Sequence, residues 1–246
     1  MSTEVTRLIQ SHRSIRKYTD EPIAEDILAD ILACGQWAPS SHNVQAYSVI
    51  VVHSRENKQQ LSMLTGNQKW VDECPVFLVF CADFYKLQRA CEMNGEMLSP
   101  DGVENFLVGA VDTALVAENV LLAARSYGLG GVMIGGIRNN PREVANLLNL
   151  PPLTIPIMGM CLGYPAQDIE QKPRLPLQVY IHEEHYQTDG IQAALEDYES
   201  ITAEYYERRT RGKQTDGWTK QMAHYVNKPR RIHMKEFVKE QGIQLN

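Results

Sequence analysis

The chain has 246 residues, of which 43% are hydrophobic and 22% are charged, and this composition is typical of a globular protein with one large core or two small ones. Its formal net charge of −6 argues against a broad nucleic-acid-binding surface and leaves room only for local basic clusters. Five scattered cysteines form no C-x-x-C pair, so we expect free thiols in a reducing cytoplasm. We expect no signal peptide, and no apolar stretch long enough to cross a bilayer.

The periodicity of apolar residues predicts alternating helices and strands along the chain. In order, these are helices over 3–11 and 24–34, a strand over 47–53, a helix over 55–64, a strand over 75–82, a central helix over 103–127, and a strand over 132–134. A helix over 141–148, a strand over 155–162 broken by Gly159, a helix over 191–209, a polar loop over 210–217 and a basic helix over 229–241 follow. Ser54 and Asn140 are predicted N-caps, and Gly128 is predicted to end the central helix. The simplest interpretation is one α/β or α+β domain, residues 1–246, with a C-terminal excursion over about 190–246.

A cluster of cations and hydrogen-bonding groups lies near the N-terminus, in His12-Arg13-Ser14-Ile15-Arg16-Lys17. Arginine donors fit phosphate oxygens, and serine and backbone N–H groups complete such a site. A basic turn that ends an amphipathic helix has the same composition, and the segment alone supports both interpretations equally.

The glycine-rich segment 128–136 does not match the dinucleotide-binding pattern G-x-G-x-x-G, because Met133 occupies its last position. It also follows a helix, whereas a dinucleotide loop follows a strand. Gly135 and Gly136 indicate either tight helix–strand packing or close approach of the backbone to a flat or bulky group.

Two other loops carry polar groups that suit a ligand. Residues 39–45 are dense in small hydrogen-bonding side chains, and Lys172 and Arg174 are held by neighbouring prolines. A loop that caps its own turns and a solvated surface loop are the alternatives. We expect no metal site, because His182-Glu183-Glu184-His185 has the wrong spacing for a zinc motif.

Further segments follow the basic cluster in a characteristic order. They are Thr19-Asp20-Glu21-Pro22, Ala38-Pro39-Ser40-Ser41, Phe80-Cys81-Ala82-Asp83, the glycine segment, Gly163-Tyr164-Pro165-Ala166 and Lys172-Pro173-Arg174-Leu175-Pro176. Together these motifs cover nearly the whole chain and resemble the nitroreductase/flavin reductase family. The tail from Glu204 to Trp218 resembles its NADPH-preferring subgroup of oxygen-insensitive nitroreductases and FMN reductases.

The resemblance implies an α+β fold with a central mixed or antiparallel sheet flanked by helices, and a homodimer with FMN at the subunit interface. It implies that the FMN phosphate and ribityl chain are held by His12, Arg13, Ser14 and Arg16, with Lys172 and Arg174 closing the phosphate site. It places Ser40, Ser41, Asn43 and Gln45 near the flavin of the partner subunit. Gln68 would contact the ring or ribityl edge, and Ile134 and Gly135 would offer backbone N–H groups near flavin N5.

The resemblance also implies an activity. NADPH would pass a hydride to the flavin, and flavins, nitroaromatics or quinones would then accept it in a ping-pong cycle without other catalytic residues. The loop that contains Arg208, Arg209, Arg211 and Lys213 resembles the segment that binds the NADPH 2′-phosphate. Gln214 stands where some relatives have an arginine, which leaves NADH as a further donor. Met133 replaces an aromatic residue found in some relatives, and we expect this to alter stacking in the pocket without removing function. The alternative is a non-catalytic flavin-binding sensor or carrier. Small-molecule acceptors are expected as partners, without nucleic acid or membrane.

Overall fold

Two central strands, each flanked by an edge strand, form one antiparallel sheet of order β1-β2-β4-β3. The strands are β1 (Tyr47–Val52), β2 (Val76–Asp83), β3 (Gly130–Ile134) and β4 (Thr154–Gly163). The structure, a computed structural model, describes residues 2–100 and 102–245. The chain forms two compact units, one made of residues up to Ile169 together with those from Arg231 onward, the other of Glu170–Arg230. The sheet belongs to the first unit.

Helices surround the sheet in the first unit and make up most of the second. Their bounds are α1 (Glu4–Gln10), α2 (Glu25–Gly35), α3 (Arg55–Leu64), α4 (Lys69–Glu73), α5 (Tyr85–Met93), α6 (Val103–Ser126), α7 (Pro141–Leu147), α8 (Leu177–Tyr180), α9 (Ile191–Thr210), α10 (Trp218–Val226) and α11 (Met234–Glu240). Short 3-10 turns lie at Ser41–Asn43 and Gly135–Arg138. The α+β fold class is therefore confirmed, and the sheet is antiparallel throughout.

The alternation of side chains along β2 divides the core into two faces, because successive residues of a strand point to opposite sides of the sheet. Val76, Leu78 and Phe80 pack with α2 and α6. Phe77, Val79 and Cys81 pack with α3, α4 and α7. The register with β4 shifts between Phe80 and Cys81, where the pattern changes and a third cluster with α11 begins.

Gly159 does not break the last strand, contrary to the prediction from sequence. Residues 154–163 form one continuous strand, in which Gly159 pairs with Val79 on one side and Ile134 on the other. An added Cβ at Gly159 would contact Cζ of Phe77 and lie 3.0 Å from its Cε2. The glycine therefore makes room for a fully buried aromatic ring rather than ending the strand.

Several predicted boundaries and caps hold, and others do not. Ser54 accepts a hydrogen bond from the Asn57 amide at 3.3 Å, as an N-cap does, and Gly128 follows α6 with φ +78°. Asn140 is the N-cap residue of α7 and Pro141 its first residue, as predicted, but the Asn140 side chain does not cap the helix, because its amide donates to the Leu64 carbonyl at 2.7 Å. The basic helix predicted over 229–241 is shorter, since α11 spans only Met234–Glu240.

The central helix α6 spans Val103–Ser126, close to its predicted bounds, but it is more apolar than the sequence analysis expects. Within residues 2–100 and 102–245, one helix is long and apolar enough to cross a membrane by length and composition, and it is α6, with mean hydropathy 1.7 over its best 18-residue window. The expectation that no stretch approaches that length is therefore wrong. Many core helices share these properties, and the buried side of α6 packs against the sheet through Val116, Val120 and Leu121.

The other side of α6 carries an exposed apolar stripe. Val103, Leu107, Val111 and Leu115 recur every four residues, and between 38% and 53% of each is exposed. Residues at this spacing lie on one side of a helix. We call this set the α6 stripe.

Candidate active site

The basic N-terminal segment lies along the outer edge of β3. Ser14 forms a parallel bridge with Gly131, and the Ile15 amide donates to the Gly131 carbonyl at 3.0 Å. Ile15 is buried against Gly130. Because side chains alternate along an extended segment, the burial of Ile15 directs Ser14 and Arg16 away from the core.

The segment is held at its far end by the chain that follows β4. The Thr19 amide donates to the Tyr164 carbonyl and the Ala166 amide to the Lys17 carbonyl, both at 2.9 Å. The Tyr18 hydroxyl donates to the Ile15 carbonyl at 2.6 Å. Burial, followed by the neighbouring thiols of Cys161 and Cys74, raises the pKa of Tyr18 far above its ordinary value, so this hydroxyl stays protonated.

Arg16 meets α4, an element that the sequence analysis missed. Its guanidinium carbon lies 5.6 Å from the centre of the Trp70 ring, within cation–π range. The Trp70 indole nitrogen is buried and has no hydrogen-bond partner within the described part of the chain. Trp70 therefore supports Arg16 and brings a buried donor to the same place.

Gln68 lies at the start of α4, beside the end of β3. Its amide donates to the Thr65 carbonyl at 2.7 Å, and an added Cβ at Gly136 would lie 2.5 Å from the same amide nitrogen. The Thr65 carbonyl would be closer still. The absence of a side chain at Gly136 therefore leaves room for the turn between α3 and α4. Of the two interpretations of this glycine, tight packing is the one that the contacts support. The structure brings together Ser14, Arg16, Gln68, Ile134 and Gly135 around one strand.

The serine-rich loop lies on the opposite edge of the sheet. Ser40, Ser41, Asn43 and Gln45 precede β1, and Gln45 donates its backbone amide to the Ser40 hydroxyl at 3.3 Å. Asn43 and Gln45 adopt positive φ angles of 59° and 53°. The distance from β1 to β3 spans three strand spacings of about 4.8 Å each, or about 14 Å. A single chain therefore does not bring this loop next to Arg16.

Asp112 positions the serine loop, and the sequence analysis did not identify this role. The Asp112 carboxylate is 1% exposed and accepts a hydrogen bond from the Ser41 amide at 3.1 Å. Its other oxygen has no hydrogen-bond partner among the described residues. The available signal was a carboxylate inside an otherwise apolar helix, since buried carboxylates normally have a specific partner.

In the second unit, Lys172 and Arg174 lie on an extended segment beside α9. Both side chains are exposed. Arg174 donates to the Lys172 carbonyl at 2.9 Å, and the Lys172 ammonium lies 5.4 Å from the centre of the Tyr206 ring. The Tyr198 hydroxyl donates to the Pro173 carbonyl at 2.9 Å. These contacts fix the segment to α9 and leave two cations accessible.

A second group of cations lies at the C-terminal end of α9. Arg209 donates to the Tyr205 hydroxyl at 2.8 Å, whereas Arg208 forms an ion pair with Glu170. Arg211 ends the helix in the left-handed conformation, with φ 54°. A helix C-terminus favours cations on its own account. We call the exposed residues Arg209, Arg211 and Lys213 the α9 cation cluster.

Three of the five thiols lie in the core, whereas Cys34 and Cys91 are partly exposed. Cys74, Cys81 and Cys161 are fully buried, and burial raises the pKa of Cys81 and Cys161 above the ordinary thiol value. This agrees with the interpretation of Cys161 as a core residue rather than a nucleophile.

This fold and arrangement of motifs define a member of the nitroreductase family. A model of the nitroreductase family matches residues 9–164, and a model of its C-terminal domain matches residues 172–246. The chain belongs to this family, so the resemblance in its motifs is confirmed.

Individual relatives match over almost their full length. The chain is 41% identical to a Cr(VI) reductase of Pseudomonas sp. strain G-1 over 239 residues, which cover 97% of this chain and 98% of that protein. It is 40% identical to an NAD(P)H-dependent FMN reductase of Bacillus subtilis strain 168 over 245 residues, or 98% of each. The solved structure of NfrA2 from B. megaterium superimposes with a TM-score of 0.97, at 39% identity and 100% coverage of both chains.

Proposed function

We propose that this protein is an FMN-dependent NADPH oxidoreductase that delivers electrons to flavins, nitroaromatics or quinones. The observation that carries the proposal is the anion-binding donor set held along the outer edge of β3. Ser14 and Arg16 are fixed there by the bridge to Gly131, and His12 and Arg13 precede them directly. Guanidinium and hydroxyl donors are the groups that bind a phosphate monoester.

The other groups at this edge suit the rest of FMN. Backbone groups of alternate residues point to the same side of a strand, so the outward Gly131 carbonyl implies outward groups at Met133, and Gly135 follows β3 as the first residue of a 3-10 turn. A donor at Gly135 would face a flavin laid along this edge, with Ile134 beside it. Gln68 and the unpartnered indole nitrogen of Trp70 supply two more donors nearby. The residues present therefore fit the cofactor.

FMN, when bound, supplies hydride chemistry between a nicotinamide and a second acceptor, and we propose that both substrates use one pocket in turn. The role of the chain is to bind and orient the two substrates, which is where most of the rate gain of such reactions arises. We propose that Lys172 and Arg174 complete the FMN phosphate site, since both are accessible and held on a rigid segment.

We propose that the α9 cation cluster binds the 2′-phosphate of NADPH. Arg209 is oriented by Tyr205, and Arg208 is already paired with Glu170, so Arg209, Arg211 and Lys213 are the better candidates. A flavin carrier without turnover has no use for a second phosphate-binding group. NADH remains a second donor in this proposal, because Gln214 brings no charge to the loop.

We propose a homodimer in the cytoplasm, with each site completed by the partner chain. Two observations support the dimer. The serine loop of one chain lies about 14 Å across the sheet from the Arg16 edge. The α6 stripe exposes four large apolar residues on the helix whose Asp112 holds that loop. Burying such a stripe against a second copy would favour association.

The visible absorption spectrum of the purified protein, recorded anaerobically before and after NADPH addition, tests the proposal. We expect flavin bands that bleach on addition, because the nucleotide reduces the bound cofactor. Flavin bands that persist would favour the sensor or carrier. A colourless protein that FMN does not reconstitute would overturn the proposal.

Replacing Arg16 with alanine tests the phosphate site itself. Loss of a charged hydrogen bond to phosphate costs about 1.5–3 kcal/mol, so FMN affinity should fall about tenfold or more. Lys17→Ala is the matched control, because it removes the same charge one position along. A fully flavinated Arg16→Ala protein would contradict the assignment.

A further inference from the structure

A carboxylate in the middle of α9 caps the N-terminus of α10. Glu199 accepts hydrogen bonds from the Gly217 amide at 3.1 Å, from the Thr219 amide at 2.7 Å and from the Thr219 hydroxyl at 2.7 Å. The first amides of a helix have no partner within the helix, so a carboxylate there satisfies them and also meets the positive end of the helix dipole. This cap comes from another helix, and it therefore fixes the start of α10 to α9.

The surroundings of the carboxylate are built for this contact. An added Cβ at Gly217 would lie 2.6 Å from both Cδ and Oε2 of Glu199, so only glycine lets the backbone come this close. Desolvation raises the pKa of Glu199, but the hydrogen bonds from Thr219, Gly217 and Lys220 together lower it below its ordinary value. The residue is therefore charged at neutral pH.

The loop 211–217 joins α9 to α10, and Thr210 holds the end of this loop that is nearer to α9. The Gln214 amide donates to the Thr210 hydroxyl at 2.8 Å, and the Gly212 amide donates to the Glu207 carbonyl at 2.8 Å. Thr202 adds a third attachment, because its hydroxyl accepts from the Trp218 amide at 2.8 Å. The segment 211–217, which carries Arg211 and Lys213, is thus tied to α9 at both ends.

We infer that Glu199 is a positioning residue for nucleotide binding: it holds the loop 211–217 so that the α9 cation cluster presents a fixed site to the 2′-phosphate. This inference rests on the proposed role of that cluster. Ordering the loop before binding removes an entropic cost that the nucleotide would otherwise meet. Glu199 has no contact with the nucleotide in this proposal and acts through Gly217 and Thr219.

Whether a substitution of Glu199 weakens or strengthens phosphate binding distinguishes a positioning role from a purely electrostatic one. Glu199 is an anion that contacts the end of the cationic loop, so removing its charge alone would strengthen the binding of a phosphate. Removing a positioning contact would weaken it. Glu199→Gln keeps the shape of the side chain, but it brings an amide N–H group towards donors that need an acceptor.

The experiment is calorimetric titration of FMN-loaded protein with adenosine 2′,5′-bisphosphate, and with adenosine 5′-monophosphate as the ligand that lacks the 2′-phosphate. We expect Glu199→Gln to weaken the bisphosphate about three- to tenfold and the monophosphate less than twofold. Amide hydrogen exchange should speed up across 211–217. Glu196→Gln is the matched control, since Glu196 lies one turn earlier on α9 and its carboxylate accepts a hydrogen bond from Gln192, on the same helix, at 3.0 Å.

Unchanged or tighter bisphosphate binding by Glu199→Gln would overturn the inference. If Glu199→Gln is unstable, Thr219→Val removes a single hydrogen bond and should weaken the bisphosphate in the same direction by about twofold. Bisphosphate binding by Arg209→Ala distinguishes failure of the role proposed for the α9 cation cluster from failure of the role inferred for Glu199. Normal bisphosphate binding by Arg209→Ala would reject the role of the cluster, whereas weak binding by Arg209→Ala with normal binding by Glu199→Gln would reject only the positioning role.

Discussion

Asp112 shows how one buried charge can shape a loop that is distant in sequence. Its carboxylate lies within the apolar face of α6, and one oxygen accepts from the Ser41 amide at 3.1 Å. Three residues of this loop, His42, Asn43 and Gln45, adopt positive φ angles. Such conformations persist where the surroundings hold them in place. Asp112 is therefore a structural support for the serine loop rather than a chance charge in a helix.

Replacing Asp112 with alanine should lower the free energy of unfolding by about 1–3 kcal/mol, because the Ser41 amide loses its acceptor. Urea denaturation followed by circular dichroism measures this change. Asp112→Asn keeps an oxygen at the same place and should cost less. Equal losses in the two variants would show that the charge, and not the hydrogen bond, matters here.

At the level of elements, the periodicity of apolar residues predicted the sheet well. β2 is a continuous apolar run buried on both faces, and such a run depends little on context. The short helices α4, α5 and α10 were missed, because few of their residues are buried and no long apolar face marks them. Trp70 was missed for the same reason, since its place beside Arg16 comes from packing and not from spacing.

The candidate site, like the secondary structure, was predicted only in part. Motif order was sufficient to propose Arg16 and Gln68, and the structure brings them to one edge of the sheet. The partners that hold the motifs, Asp112 and Glu199, are single residues inside helices of ordinary appearance. Asp112 stands out only as a carboxylate within an apolar helix, and nothing in the local sequence of Glu199 distinguishes it from a surface carboxylate. Only the folded contacts reveal their roles.

Gly159 marks the position where β4 accommodates the Phe77 ring, and this gives a prediction for the element. Gly159→Ala should destabilise the protein by about 1–3 kcal/mol, because Phe77 is fully buried and cannot move aside. Thermal or urea unfolding measures the loss. Gly135→Ala is the comparison for stability, since its added Cβ would meet only Arg138, at 3.4 Å. A stable Gly159→Ala protein would show that the core can repack around Phe77.

At the scale of the whole molecule, the proposed site is divided between the two outer strands of one sheet. The Arg16 group lies along β3, and the serine loop precedes β1. In the proposed homodimer, the α6 stripe would be the apolar surface on which the second chain docks. A second copy seated there would allow both parts to be used in one site.

Val111→Glu, at the middle of the α6 stripe, should convert the protein to monomers and release FMN. Burying an unpaired carboxylate in an apolar interface is costly. Sedimentation velocity with detection at a flavin band measures mass and cofactor together. Met63→Glu is the control, because Met63 is exposed on α3, on the other face of the sheet. A Val111→Glu protein that remains dimeric and yellow would contradict the proposed interface.

The division of the site between two sheet edges also has a thermodynamic consequence. Where a pocket needs groups from two molecules, cofactor occupancy and self-association are linked equilibria, and each shifts the other by mass action. Dilution alone should then cause FMN to dissociate from an unmodified protein, and added FMN should promote dimerisation of dilute chains. The apparent affinity for FMN then depends on the protein concentration.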